Sequence, residues 1–453
     1  MADVCAAPDA FPVAVETLII GAGAAGLTAA IAAREAGQEV LVLERDPVPS
    51  GSTALSAGLI PAAGTAQQKA AALDDDAACF ADDIQRKAKG QNDPALVELL
   101  ATGAAPLIDW LTETHGLPFT LVDDFDYPGH SCRRMHGLPT RSGRELIDRL
   151  RATAETFGAD LLCEATVTTL FTRAGRIAGL ALTRPDDSGE VIGCNRLILA
   201  CNGFGGNRPL VRQHMPEIEG ALWFGHDGNR GEALDWGAAL GAAARHLGAY
   251  QGHGNVAHPH GILITWATIT EGGLQVNRNG ERFWDESQGY SEAARAVLAQ
   301  PGRDAVTIFD ARIAGIARQF ADFRAAEAQG AVATAASLDE IADRFDLPKD
   351  ALAATVAAVP ERGKDSFGRR WSGPRLSPPY AAVRVTGALF HTQGGLCIDR
   401  HARVLKTDGT PIPNLFAAGG AAVGVSGSGD AGYLSGNGLL AATVLGRIAG
   451  KGC

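Results

Sequence analysis

An α/β fold is what this sequence predicts, on three observations. Residues 16–44 read as strand, Gly-rich turn, helix and strand in unbroken succession. Two later segments, Arg196-Leu-Ile-Leu-Ala-Cys-Asn-Gly203 and Leu415-Phe-Ala-Ala-Gly-Gly420, again run from a buried strand into a Gly turn. Between them, from about 250 to 374, the character changes to His-, Trp- and Arg-containing loops and then to Ala-rich helices. Together these predict a Rossmann-like domain built from residues 1–249 and 375–453, with an α+β cap of residues 250–374 inserted in it.

The first element is Glu16-Thr-Leu-Ile-Ile20, an apolar run that leads into Gly21-Ala-Gly-Ala-Ala-Gly26. Leu27 to Glu35 is Ala-rich and helical, and Glu39-Val-Leu-Val-Leu-Glu44 is a second strand ending on an acid. Each part serves dinucleotide binding. Gly21 makes the tight turn, Gly23 lets the backbone approach a pyrophosphate, and Gly26 lets the helix pack on the sheet. The helix N-terminus turns free N–H groups toward phosphate, and Glu44 is placed to accept ribose hydroxyls. Next comes Gly51-Ser-Thr-Ala-Leu-Ser-Ala-Gly58, whose small residues suit contact with a flat ring system. Residues 66–115 read as helices with polar faces, 160–184 and 190–200 as strands, and 231–245 as a helix. In the insert, helices are expected at 291–300, 311–329 and 338–357. From Leu415 to Gly450 the strand, Gly-loop, helix pattern returns.

Composition excludes several function classes. Forty basic against 51 acidic residues give a net charge of −11, which argues against nucleic acid or an anionic membrane as partner. The first 16 residues contain Asp3, Asp9 and Glu16 and lack a basic-then-apolar run, so no signal peptide is expected. The longest apolar stretch, Leu18 to Ala33, is the Gly turn and its helix, so no membrane span is expected. The eight cysteines form no C-x-x-C pair, which fits a reducing cytoplasm without disulfides or zinc. His253, His258 and His260 fall in a Gly/Pro loop without ligand spacing, and no metal is expected there.

Three Gly-rich approaches imply a long dinucleotide with a ring system to cradle, which favours FAD over NAD. The last of them, Ser435-Gly-Asn-Gly-Leu-Leu440, would aim a helix N-terminus at the flavin pyrimidine, where negative charge develops on reduction.

Further motifs are Gly231-Glu232 before a helix, Gly272-Gly-Leu-Gln-Val-Asn277, Gly280-Glu-Arg-Phe283 with Glu286, and His391-Thr-Gln-Gly-Gly395. Ala417-Ala-Gly-Gly420 and Leu434-Ser-Gly-Asn437 complete the set. On these the chain resembles the soluble fumarate reductase and succinate dehydrogenase flavoproteins over nearly its whole length. The resemblance implies a glutathione-reductase-like FAD domain with cofactor contacts at Gly21, Gly23, Ala24, Ala25, Gly26, Glu44 and Arg45. It implies a second set at Ser52, Thr53, Ser56 and Gly58, and a third at Ala200, Asn202 and Glu232. The last set is Gly419, Gly420, Asn437 and Leu439. In membrane-bound members a histidine beside the Gly-Ser/Thr stretch is covalently attached to FAD. Ser52 stands there, so the flavin is expected to be non-covalent.

Departures from that pattern direct the functional reading. The proton-delivering arginine of fumarate-type reductases lies thirteen residues beyond the Val-Asn asparagine, and here that position is Tyr290. The arginine that clamps a carboxylate precedes the Leu-Gly-Gly-Asn turn, and here it is Tyr433. The glutamate and arginine of the proton path correspond to Trp266 and Ile269. Tyrosines at 290 and 433 are instead similar to the 3-ketosteroid dehydrogenases, the Δ4-(5α) type above all and the Δ1 type as a near relative. Tyr127 lies in the region of the third tyrosine of the Δ1 type but in no matching motif.

The resemblance implies that Tyr290, Tyr433 and Ser435 are catalytic, with Tyr290 meeting Tyr433 across the flavin. It implies substrate contacts at His391, His253 and Gly438. A phenol, with an ordinary pKa of about 10, suits removal of a ketone α-proton better than a carboxylate would. Arg133, Arg134 and His136 read as lining the substrate entrance, where they would favour an acid group. The expected activity is FAD-dependent introduction of a C=C bond beside the ketone of a cyclic substrate, a 3-ketosteroid or something smaller. A hydride passes to flavin N5 and an external acceptor takes the electrons. The alternative is an enoate reductase acting on an unsaturated acid.

Overall fold

The computed structural model describes residues 3–123 and 126–452, and the chain divides into two compact units. One comprises the residues up to 210 with 225–250 and 391–453, the other residues 211–224 and 251–390.

The first unit is organised on a nine-stranded sheet. Its parallel centre sets Val13–Ile20 between Val40–Leu43 and Gly189–Leu199, with Pro411–Ala417 beyond. Leu18, Ile19, Leu197, Ile198, Leu199 and Leu415 are fully buried, as expected of strands covered on both faces. The helix Ala24–Glu35 lies against Asn437–Lys451, and small residues decide how closely. A Cβ at Gly446 would sit 2.4 Å from the Ala25 carbonyl oxygen, and one at Gly450 would sit 2.2 Å from that of Ala29. The helix Pro94–Asp109, extended by a π-helical turn over Trp110–Thr114, packs on the same C-terminal helix through Gly103. Among the described residues it is the one helix apolar and long enough to cross a membrane by length and composition. Its apolar side, from Leu96 to Ile108, is part of the core.

The second unit carries a seven-stranded sheet centred on Tyr380–Thr392. Asp304–Asp310 and Val332–Ala335 pair with that strand antiparallel, and Leu274–Val276 extends the sheet from Asp304–Asp310. The bounds of this unit differ from those of the expected cap of 250–374: residue 250 lies in the first unit, and the second also takes in 211–224 and, through the central strand, 375–390.

Several local expectations are corrected here. The stretch after 250, read as loops, contains the strand Tyr250–Ala257, so His253 sits on a strand rather than in a loop. Polar residues on buried strands hid the pattern, because they satisfy one another. Thr307 donates to Asn255 at 2.6 Å, Gln275 donates to the Gly254 carbonyl at 2.9 Å, and Asn255 donates to Thr268 at 3.0 Å. The expected helix 311–329 is two helices, Ala311–Ala317 and Ala321–Ala328, parted at Phe320 in an extended conformation. That at 338–357 is also two, with Asp346 left-handed (φ +57°) ahead of Pro348. The helix expected at 231–245 ends at Ala239, before Gly241 turns the chain at φ +74°.

Glu286 holds the motif region of the second unit together. Fully buried, it accepts from Arg282 Nε at 2.9 Å and from the Gln275 N–H at 3.1 Å, and it pairs with Arg369 at 3.2 Å. Arg369 also donates to the Gly273 and Ile269 carbonyls and stacks on Trp371. Removing one member of a buried charged network leaves its partners uncompensated. Glu286→Ala is therefore expected to destabilise this unit by about 3–5 kcal/mol, read as a lower midpoint in denaturant unfolding followed by tryptophan fluorescence.

Candidate active site

The Gly21–Gly26 turn is shaped by contacts that tolerate no side chain. Gly21 has φ +104°, and a Cβ there would lie 2.5 Å from the Ala200 carbonyl oxygen. A Cβ at Gly26 would lie 1.9 Å from the Gly21 carbonyl oxygen. Gly23, the N-cap of the helix Ala24–Glu35, has no side chain to occupy the N–H groups of the helix start, and Thr53 takes that of Ala24 alone. Glu44 Oε2 accepts the Ala22 N–H at 2.8 Å and Oε1 accepts that of Asp46 at 3.1 Å. The acid thus braces the turn, and each oxygen keeps a lone pair for ribose hydroxyls. Ala25 is buried on the helix behind the turn.

The second Gly/Ser segment folds onto the first. Gly51–Ala54 is a helical turn, and Thr53 Oγ1 accepts the Ala24 N–H at 3.1 Å. Ser56 donates to the Thr53 carbonyl and accepts the Gly58 N–H. Ser52 Oγ accepts amide hydrogens from Asn202 at 3.1 Å and from Asn229 at 2.7 Å. Asn202 has φ +65°, and a Cβ at Gly420 would lie 2.1 Å from its Oδ1. Arg45 pairs with Glu232 at 2.7 Å. Asn229 was not foreseen, since one amide in a loop carries no pattern.

FAD is the group these residues are shaped to receive. Glu232 Oε2 and Asn437 Oδ1 are buried without a hydrogen-bond partner, an arrangement that costs free energy unless a ligand supplies one. The helix Asn437–Lys451 starts after Gly436 (φ +86°) with no side-chain cap, so its first N–H groups are also presented. Gly419 and Gly420 form the turn after Pro411–Ala417, and Leu439 is half-buried on the C-terminal helix.

Close to that helix start lie the first-unit candidates for chemistry. Tyr433 is buried, and desolvation pushes its phenol up to about 12 although the Gly436 and Gly438 backbone groups hydrogen bond to it. Its ring meets His391 edge-on, with centroids 5.5 Å apart. His391 Nδ1 faces the Gln393 amide at 3.0 Å, and burial pushes the imidazole down to about 4. A Cβ at Gly438 would approach His391 Cε1 to 3.0 Å, so this glycine keeps the imidazole's place open. Ser435 is buried two residues from Tyr433.

In the second unit, Tyr290 opens the helix Tyr290–Leu298 and stacks on His253, with centroids 5.0 Å apart and planes at 17°. Burial pushes His253 down to about 3, so it is neutral at physiological pH. Trp266 and Ile269 are buried with Trp284 and Ala293, and Tyr290 packs against that cluster.

One expectation fails. Arg134 does not present its charge to a substrate: it is 1% exposed and paired with Asp75 and Asp83. Arg133 pairs with Asp126 at 2.7 Å, and His136 is buried against Thr65 at 2.9 Å. Arg134 is held inward by its two carboxylates, because a buried guanidinium requires counter-charges.

A sequence family described as FAD binding domain matches residues 16–439. The chain belongs to this family. FAD is accordingly its cofactor, and its relatives are oxidoreductases acting at carbon–carbon bonds. It is similar to "Fumarate reductase (cytochrome)" of Shewanella frigidimarina, 30% identical over 446 residues, covering 96% of this chain and 76% of the relative. It is also similar to "4-oxocyclohexanecarboxylate 2-dehydrogenase" of Sinomonas cyclohexanicum, 25% identical, covering 96% and 93%. Its fold matches the crystal structure of 3-ketosteroid-Δ4-(5α)-dehydrogenase from Rhodococcus jostii RHA1 in complex with 4-androstene-3,17-dione. The TM-score is 0.80 and the identity 25%, over 100% of this chain and 99% of that one.

Ser52 offers a hydroxyl where a linking histidine would stand. The purified protein is expected to be yellow, with acid or heat releasing all its FAD to the supernatant. Flavin absorbance retained in the washed precipitate would count against non-covalent binding.

Proposed function

We propose that this chain is a dehydrogenase that introduces a C=C bond beside the ketone of a cyclic substrate, with electrons leaving to an external acceptor. The observation that carries this reading is the chemistry of the substituted positions. Trp266 and Ile269 build an apolar cluster, which cannot relay protons, while the phenol at 433 is buried among N–H donors. Desaturation beside a ketone needs one group to take the α-proton and another to hold the developing enolate oxygen. Tyr433 keeps its proton at neutral pH, since burial raises its pKa. In this proposal it takes the substrate's proton while passing its own along Ser435. Tyr290 donates to the ketone oxygen, supported by the neutral imidazoles of His253 and His391. When bound, FAD supplies the hydride acceptor.

The relative named for 4-oxocyclohexanecarboxylate favours a small ring ketone, and the ketosteroid dehydrogenase structure favours a larger one. Both are cyclic ketones, and a cytoplasmic enzyme acting on either accords with eight cysteines that form no C-x-x-C pair. The 30% identity to a fumarate reductase favours the second reading, an enoate reductase.

Anaerobic mixing with saturated cyclic ketones separates the two. Bleaching of the flavin, followed by turnover with an artificial acceptor, is the expected result. Reoxidation of the chemically reduced enzyme by an unsaturated acid, with no bleaching by any ketone, would favour the enoate reductase. Tyr433→Phe keeps the ring, so FAD content should be native while turnover falls about 10²–10⁴-fold. Near-native turnover would leave Tyr433 a packing residue. Tyr290→Phe should prevent reduction of the flavin by substrate yet preserve substrate binding. An unchanged spectral perturbation on mixing, followed by no bleaching in stopped flow, is the expected signature.

A further inference from the structure

Beside Tyr433 and Ser435 lies a buried polar cluster that the proposed chemistry does not use. His130 Nε2 is 3.0 Å from the Ser435 carbonyl oxygen. On the other side of the ring, Arg134 Nη1 is 3.4 Å from His130 Nδ1. A guanidinium carries donors only, so Nδ1 must be the lone-pair nitrogen and Nε2 must carry the hydrogen. Arg134 cannot swing away. Its Nε and Nη2 hold the two oxygens of Asp75 at 3.0 and 2.7 Å, and its Nη1 also reaches Asp83. Asp83 is itself fixed by the Ser131 N–H and O–H at 2.7 and 2.8 Å. Phe80 lies under the guanidinium at 4.9 Å and packs 6.0 Å from the imidazole.

The Ser435 carbonyl precedes the helix Asn437–Lys451. A buried carbonyl needs a donor, and the His130 Nε2–H is within reach of this one. Gly436 and Gly438, one and three residues further on, are those whose backbone groups hydrogen bond to the Tyr433 phenol. We propose that His130 is a positioning residue: held by Arg134 as the Nε2–H tautomer, it pins the Ser435 carbonyl and so aims the Gly436 and Gly438 N–H groups at the Tyr433 phenol. The proposal deepens the reading of Tyr433 as the reacting phenol and rests on it.

Desolvation pushes His130 down to about 4, which keeps the donor neutral across the physiological range. The charged groups that face its ring are Arg134, Asp83 and Asp75. The titratable group in ring contact with Tyr433 is His391, also neutral above about pH 4.

The test uses the FAD-loaded protein with 3,5-difluorotyrosine at position 433, whose phenol titrates lower than that of tyrosine. The ¹⁹F shift against pH is recorded for the native residue, His130→Gln and His130→Asn. Glutamine carries an N–H near the place of Nε2, and asparagine is too short to reach. With asparagine the inflection should move up by about one to two pH units, the size of lost hydrogen bonds to a phenolate. With glutamine it should stay near the native value. An unmoved inflection in His130→Asn, or an equal shift in both variants, would overturn the proposal. Should His130→Asn fail to retain FAD, ¹⁵N shifts of His130 in the unsubstituted protein decide instead: protonated Nε2 supports it and protonated Nδ1 refutes it. Native turnover in Tyr433→Phe would refute the reading of Tyr433 as the reacting phenol, and the fluorine titration would still report whether His130 orients the phenol.

Discussion

Backbone pressed on backbone around the Gly21–Gly26 turn is the constraint on which the first unit depends. Without Cβ atoms, the turn lies against the end of the strand Gly189–Leu199 and the helix Ala24–Glu35 seats on its own turn. Glycines 446 and 450 let the C-terminal helix approach the same helix backbone. Segments hundreds of residues apart therefore converge where two helix starts and three Gly turns present N–H groups. That convergence makes an anion-binding cradle in which main-chain donors and helix dipoles act together. It also explains why an acidic chain can bind a pyrophosphate.

Two buried charge networks organise this protein. Glu286 with Arg282 and Arg369, and Arg134 with Asp75 and Asp83, are buried networks in which every partner has a counter-charge. Such networks offer no free cation to a substrate, and their cost of desolvation is offset only while all members are present. The candidate chemistry is left to neutral groups: phenols, imidazoles held unprotonated by burial, a serine and backbone amides. Neutral donors suit a ketone, whose charge develops only during reaction, better than a dicarboxylate that arrives charged.

Within one unit the C-terminal turn links these themes. Tyr433 belongs to a short loop in which His130 engages the Ser435 carbonyl and the Gly436 and Gly438 backbone groups engage the phenol. His391 stays beside the phenol because Gly438 leaves room for it. Loops of this kind are precise only when their backbone groups are satisfied, which gives the surrounding polar residues a role even though they touch no substrate.

Local sequence was sufficient for the Gly21–Gly26 turn, its flanking strands, Glu44, the Gly51–Gly58 segment and the final strand-to-helix turn. Those features depend on short-range chemistry: a positive φ, a missing Cβ, an apolar run of strand length. From the same text came the position of both tyrosines relative to the flavoprotein pattern. The seven-stranded sheet of the second unit was not legible, because Asn255, Gln275 and Thr307 break its apolar pattern and find their partners only in the folded unit, in one another, in Thr268 and Trp284 and in the Gly254 and Ile264 carbonyls. Nor were the breaks at Phe320 and Asp346 inside Ala-rich stretches, where helix propensity is high on either side. Arg134 looked like a substrate ligand in a line of residues, and only packing revealed the two carboxylates that enclose it. The sequence alone determined which groups exist and which turns are possible. Tertiary structure decided which charges are neutralised, which donors remain unpaired and which histidines are uncharged, because those properties depend on burial and on partners distant along the chain.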